Sequence, residues 1–167
     1  MTMSTKLLTD AYERISQEVH ATVEGLTEGQ LSTRVAPDAN TIGWLIWHLA
    51  RVQDSHIADV ADKEQVWTSG GWYDRFGLPF NAKATGYGFS GDDVGAVKGI
   101  DESQLTGYFD AVHAQTLAYV ADLADADLTR IVDTRWDPPV TLVARLVSVI
   151  SDDLQHVGQA AYVKGLL

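Results

Sequence analysis

The chain has 167 residues, 46% of them apolar, with 23 acidic residues against 12 basic ones and no cysteine. That length suffices for one hydrophobic core without covalent staples, and the absence of thiols excludes disulfides, thiolate zinc sites and a cysteine nucleophile. A net charge of −11, with its bases scattered, repels phosphate backbones and anionic bilayers, so neither nucleic acid nor a membrane is expected as a partner.

No uninterrupted apolar run reaches membrane-spanning length, and residues 1–9 lack the basic start and apolar stretch of a secretory signal. The expectation is a soluble, cytoplasmic protein with one domain over residues 1–167.

In chain order, Leu7, Leu8, Tyr12, Ile15, Val19 and Val23 keep a helical period, and Gly25 supplies the stop. Thr27 and Gln30 have the spacing of a capping box, which places Leu31 on a short helical turn before Pro37. Asn40 is the expected N-cap of a second long helix reaching about Asp62, with Ile42, Leu45, Leu49, Val52 and Val60 on its apolar face. His56 falls in line with that face, and His48 falls at its margin.

From Lys63 to Val94 the helical signal vanishes, and the segment combines glycine punctuation with seven aromatic residues between Trp67 and Phe89. A connection this long in a compact domain is usually functional, as a lid or pocket wall, and its aromatic content argues against disorder. Ser90, Asp92 and Asp93 signal another helix start. A third long helix follows from about Glu102 to Leu123, with Leu105, Phe109, Val112, Leu117 and Val120 toward the core. Pro139 blocks an early start for the fourth, whose expected core stripe is Val143, Val147, Ile150, Leu154, Val157 and Ala161. The fold class is therefore all-α: a four-helix bundle with a long aromatic-rich loop between helices two and three.

On the fourth helix Asp152 and His156 lie one turn apart, offset by about 40° around the axis, so a carboxylate and an imidazole can address one object. Asp153 is offset from His156 by about 60° on the other side, and period alone does not choose between the two acids. If helices two and four are neighbours, His48 joins them in a set of two imidazoles and one carboxylate. Such a set suits a divalent ion, zinc first, with nickel, iron or manganese as alternatives, and leaves positions open for water or substrate. The same residues would also serve as a buried hydrogen-bonded pair. His113, with Asp110 beside it, is the best substitute ligand; His20 has no ligand-spaced partner. No phosphate-binding glycine loop or Gly-x-Ser-x-Gly elbow is present.

The stretch from Asn40 to Arg51, with its Gly-Trp-Leu-Ile-Trp-His core, and the Asp152-x-x-x-His156-Val157-Gly158-Gln159 segment together resemble the DinB/YfiT superfamily. The likeness is nearest to its actinobacterial branch of mycothiol-dependent transferases and maleylpyruvate isomerase-like domains, and it runs over essentially the whole chain. It implies a four-helix bundle, often a homodimer, with a divalent metal held by one His of the second helix and two ligands on the fourth. By position these are His48, Asp152 and His156. The chain departs from the pattern at Asp152, where many members have His and the mycothiol branch has Glu.

The function implied is activation of a low-molecular-weight thiol such as mycothiol for transfer of its sulfur to an electrophile. Arg51, one turn from Trp47, is the candidate to hold a carboxylate of thiol or substrate, the alternative being an exposed surface arginine. Two other readings stand beside this one. One is a metal-dependent small-molecule hydrolase; the other is a non-catalytic bundle that binds a ligand and uses its His and Asp residues structurally.

Overall fold

Hydroxyl and carboxylate caps define where the long helices begin in the computed structural model, which describes residues 2–167. Thr2 caps α1 (Met3–Val23), Thr41 caps α3 (Ile42–Ala61), Asp101 caps α7 (Glu102–Ala121) and Thr141 caps α8 (Leu142–Lys164), each accepting a backbone N–H three residues on. The cap of α3 is thus Thr41 rather than Asn40. The capping box of Thr27 and Gln30 forms as its spacing predicts and opens the single turn α2 (Glu28–Leu31).

The four long helices make the expected bundle. α1 packs on α7 and α8, and α3 packs on the same two, most extensively on α8. Helices two and four of the sequence reading are therefore neighbours, which is the condition on which the candidate metal set depends. Their core joins Tyr12, Ile15 and Val19 of α1 to Leu45 and Leu49 of α3, Phe109 and Val112 of α7, and Leu146 and Val149 of α8.

The buried side of α8 differs from expectation. Leu142, Leu146, Val149, Asp153, Val157 and Ala160 face inward, whereas Val143, Val147 and Leu154 are 40%, 53% and 46% exposed. The helix is apolar on two faces; of the expected stripe, Val157 lies in the core and Ile150 packs half-buried against it. On α1 the same happens on a smaller scale: Leu8 is buried and Leu7 is exposed.

Residues 63–97 are not a structureless connection. They contain the short helices α4 (Val66–Ser69), α5 (Trp72–Phe76) and α6 (Gly91–Ala96), the last opened by Ser90 as its sequence signals. They wrap the outer side of α3, so nearly its whole circumference is buried, including Trp44, Trp47 and Arg51. Trp72 of α5 lies against Gly107 of α7, where an added Cβ would stand 2.7 Å from the indole ring. Between α7 and α8 lie a 3-10 turn (Asp125–Thr129) and a two-stranded antiparallel pair, β1 (Ile131–Asp133) and β2 (Val140–Thr141), which the sequence reading missed. No helix among the described residues is long and apolar enough to cross a membrane.

Candidate metal centre

His48 sits on the second turn of α3, one turn after Trp44, whose indole stacks on the imidazole at 4.5 Å and 11° between planes. The residue is 5% exposed, because the loop closes over it. Its Nδ1 lies 2.5 Å from the carbonyl oxygen of Thr85. A carbonyl only accepts, so Nδ1 carries the proton and Nε2 is left bare. Gly86 makes this approach possible: its φ is +92°, and a Cβ there would fall 2.7 Å from His48 Nδ1.

His156 is held in the same tautomer by its own helix. Its Nδ1 donates to the carbonyl oxygen of Asp152 at 2.7 Å, and the Asp152 carboxylate stands 3.3 Å from the same nitrogen. Both histidines therefore carry the arrangement common to metal-ligating imidazoles, with one nitrogen tied to an oxygen and the other free. Their rings meet edge to face at 4.6 Å. One ligand atom each from His48, Asp152 and His156 lies within 4.8 Å of the other two, and a carboxylate oxygen of Asp152 is buried without a hydrogen-bond partner. The donor set and the tied tautomers fit one divalent ion.

The two imidazoles differ electrostatically. Burial holds the His48 imidazole below the usual histidine range, keeping it neutral. Burial pulls His156 in the same direction, but the carboxylate and carbonyl of Asp152 outweigh it and the net direction is upward.

Of the two adjacent acids, Asp152 meets the histidines. Asp153 is fully buried in the bundle, where desolvation pushes its carboxyl well above the usual range; its charged form would also raise the neighbouring Tyr12 phenol. Asp153 is thus held as a neutral acid outside the cluster. His113 and His20 are elsewhere, bracing α1 to α7: His20 Nε2 is 2.8 Å from Asp110, and His113 Nε2 is 3.7 Å from Glu13.

Arg51 fits neither role expected of it. Its side chain is completely buried and four of its N–H groups are taken: Nε by the Ala84 carbonyl, one Nη2 hydrogen by the Ala82 carbonyl, and both Nη1 hydrogens by Gln65 and the Tyr108 hydroxyl. Asp54 lies 3.5 Å away and accepts the backbone N–H groups of Val66 and Trp67, anchoring α4. Arg51 therefore fastens the loop, one residue before the carbonyl that His48 uses, and no free donor of it reaches a ligand. The sequence offered no signal for this, since the loop partners that bury it include the backbone oxygens of Ala82 and Ala84, more than thirty residues away.

Two cavities meet at the cluster. One, of about 610 Å³, runs along the groove between α3 and α8 from His48 and Asp152, over Val52 and Val149, to His56 and Arg135. The other, of about 340 Å³, shares His48 and Asp152 with it and is walled by Trp44, Tyr87, Phe89 and Val94. His56 was expected nearer the core than His48; it is the less buried of the two and belongs to the cavity wall.

Comparison with known proteins agrees with this architecture. The sequence model of the DinB superfamily matches residues 11–160. A crystal structure described as the conserved protein of locus from Enterococcus faecalis superposes with a TM-score of 0.92 and 29% sequence identity, covering 99% of this chain and 97% of that one. No curated protein matches the chain.

Proposed function

This chain belongs to the DinB superfamily, and from that premise we propose that it is a metal-dependent thiol S-transferase. His48, Asp152 and His156 hold one divalent ion, zinc by preference of the donor set. The supporting observation is the convergence of His48, Asp152 and His156 within 4.8 Å, with each imidazole tied through Nδ1 to a carbonyl, at the junction of two cavities.

The chain has no cysteine, so a sulfur nucleophile must come from a small molecule such as mycothiol. A bound divalent ion supplies Lewis acidity, which lowers the pKa of a thiol reaching its open side. The chain's own residues do the rest. His48 and His156 are fixed by their Nδ1 bonds, Trp44 braces both rings, and the loop excludes water from one side. The aromatic cavity of Trp44, Tyr87 and Phe89 takes an apolar electrophile. The larger cavity between α3 and α8 takes the body of the other reactant. In the transfer a new sulfur–carbon bond forms, the thiol proton leaves to solvent, and the electrophile's leaving group or π-bond accepts the displaced electron pair.

The active assembly we propose is a homodimer. The outward apolar face of α8, with Val143, Val147 and Leu154, gives a second copy an apolar surface to cover.

Metal content per chain of the untagged protein, measured beside His48→Ala, tests the first part. Near-stoichiometric metal in the wild type and its loss in the variant are expected. Consumption of a test electrophile only when thiol is present is expected next. Consumption that is independent of thiol would instead identify a hydrolase, and an absence of metal in the wild type would leave a ligand-binding bundle.

A further inference from the structure

The far end of the larger cavity is built differently from the metal end. Along α3, His48, Val52, Ser55 and His56 face it in turn, and along antiparallel α8 Asp152, Val149 and Ser148 face them. His48 and His56 are eight residues apart, about 12 Å along a helix axis. At that distance the cavity adjoins a second one of about 360 Å³, which shares Ser55, His56 and Arg135 with it and adds Lys63 and Arg145.

Three of the chain's 12 basic residues thus converge on one place in a protein of net charge −11. Two acids, Asp59 and Asp133, oppose them, which leaves one positive charge in excess. The arrangement is ordered. Arg145 is buried and donates to Asp59, Asp133 and Nδ1 of His56, at 3.2, 3.3 and 3.0 Å. Arginine only donates, so His56 accepts at Nδ1 and its proton is on Nε2, which has no protein acceptor among the described residues. Arg135 binds Asp133 through Nε and Nη2, at 2.9 and 2.7 Å. That pairing orients the guanidinium while its Nη1 makes no protein hydrogen bond among the described residues, and its side chain is 83% exposed. A fixed imidazole N–H and an oriented, half-used guanidinium line the same cavity end.

We propose that this end is an anion subsite: Arg135 Nη1 and His56 Nε2–H receive a carboxylate-class group carried by the reactant that occupies the cavity, about 12 Å from the metal cluster. The proposal rests on the thiol-transfer reading only for the identity of that reactant. It narrows the substrate class to an elongated molecule with an acid at the end remote from its reacting atom. Val52 and Val149 supply the apolar floor for the chain between.

The test uses the full-length, metal-loaded protein and titration calorimetry with ω-mercaptoalkanoates of graded length, each beside the matched ω-mercaptoalkanol. The acid is expected to bind about tenfold more tightly than the alcohol at the length that spans the groove. That preference should vanish in Arg135→Ala and return in part in Arg135→Lys, with metal content unchanged. In metal-free His48→Ala both probes should weaken while their ratio persists. Equal binding of acid and alcohol at every length overturns the subsite, as does a preference lost in His48→Ala but kept in Arg135→Ala, since the acid would then sit at the ligand end. A thiol-transfer assay run in parallel judges the other reading separately. An acid preference that depends on Arg135, without thiol-dependent turnover, supports the subsite and overturns thiol transfer.

Discussion

The carbonyl oxygen of Thr85 lies 2.5 Å from Nδ1 of His48. Through this contact a loop residue fixes the tautomer of a side chain on a bundle helix that stands within 4.8 Å of Asp152 and His156. Partners of this kind commonly set the affinity of a metal site as firmly as the ligands do.

Gly86 is the position at which that contact is most easily broken. Gly86→Ala places a methyl group 2.7 Å from His48 Nδ1 on a backbone with positive φ. Metal affinity is expected to fall by about 10–100-fold, with the helical circular dichroism unchanged. Competition against a chelator measures the change, and wild-type affinity in the variant would show that the Thr85 contact is dispensable.

Arg51 acts through the same loop but carries stability as well. Arg51→Met leaves the Asp54 carboxylate buried without its cation and frees the carbonyls of Ala82 and Ala84. A loss of about 3–5 kcal/mol is expected in urea unfolding. Arg51→Lys should recover only part of it, because an ammonium cannot match the spread of the guanidinium's donors. An unchanged unfolding midpoint in Arg51→Met would count against the anchoring role.

Asp152 and Asp153 are expected to separate cleanly. Asp152→Asn should lose stoichiometric metal; Asp153→Asn should keep it. Asp153→Asn should also remove a pH dependence. The folded-state pKa of Asp153 is raised by burial, so its contribution to stability is complete below the unfolded carboxylate value of about 3.9 and is lost as pH rises toward the folded value. Across that window wild-type stability should decline with pH relative to the variant. Parallel pH profiles of the two unfolding curves would contradict this.

Val147 tests the assembly. Val147→Glu introduces a charge into the outward apolar face of α8 without touching the core. Sedimentation should shift from dimer to monomer while the melting temperature at low concentration is retained. A monomeric wild type at micromolar concentration would remove the homodimer.

The sequence made the bundle legible because four long stretches keep a helical period and carry recognisable stops and caps. It also paired Asp152 with His156, since helical spacing survives folding, whereas His48 joins them only through the packing of α3 on α8. The stripe of α8 misled for a physical reason. The true core face carries Arg145 and Asp153, whose charge makes it look like the outer face, while Val143, Val147 and Leu154 form a cleaner apolar row on the outside. Arg51 misled in the opposite sense: its burial is created by a loop whose backbone oxygens leave no mark in composition. His56 looked like a core residue because period places it on the apolar side of α3, and only the position of Arg145 across the groove gives it a role.

The loop that covers α3 supplies the Thr85 carbonyl and also the Tyr87 and Phe89 rings of the aromatic cavity. Order in the loop and occupancy of the ligand cluster are therefore one linked equilibrium, and linkage is reciprocal. A compound that packs against Phe89 and steadies the loop raises the affinity for an ion it never touches, by the same factor with which the ion raises the affinity for the compound. On the proposed reading, ion affinity is thus a function of what else is bound, strongest when the electrophile is already seated.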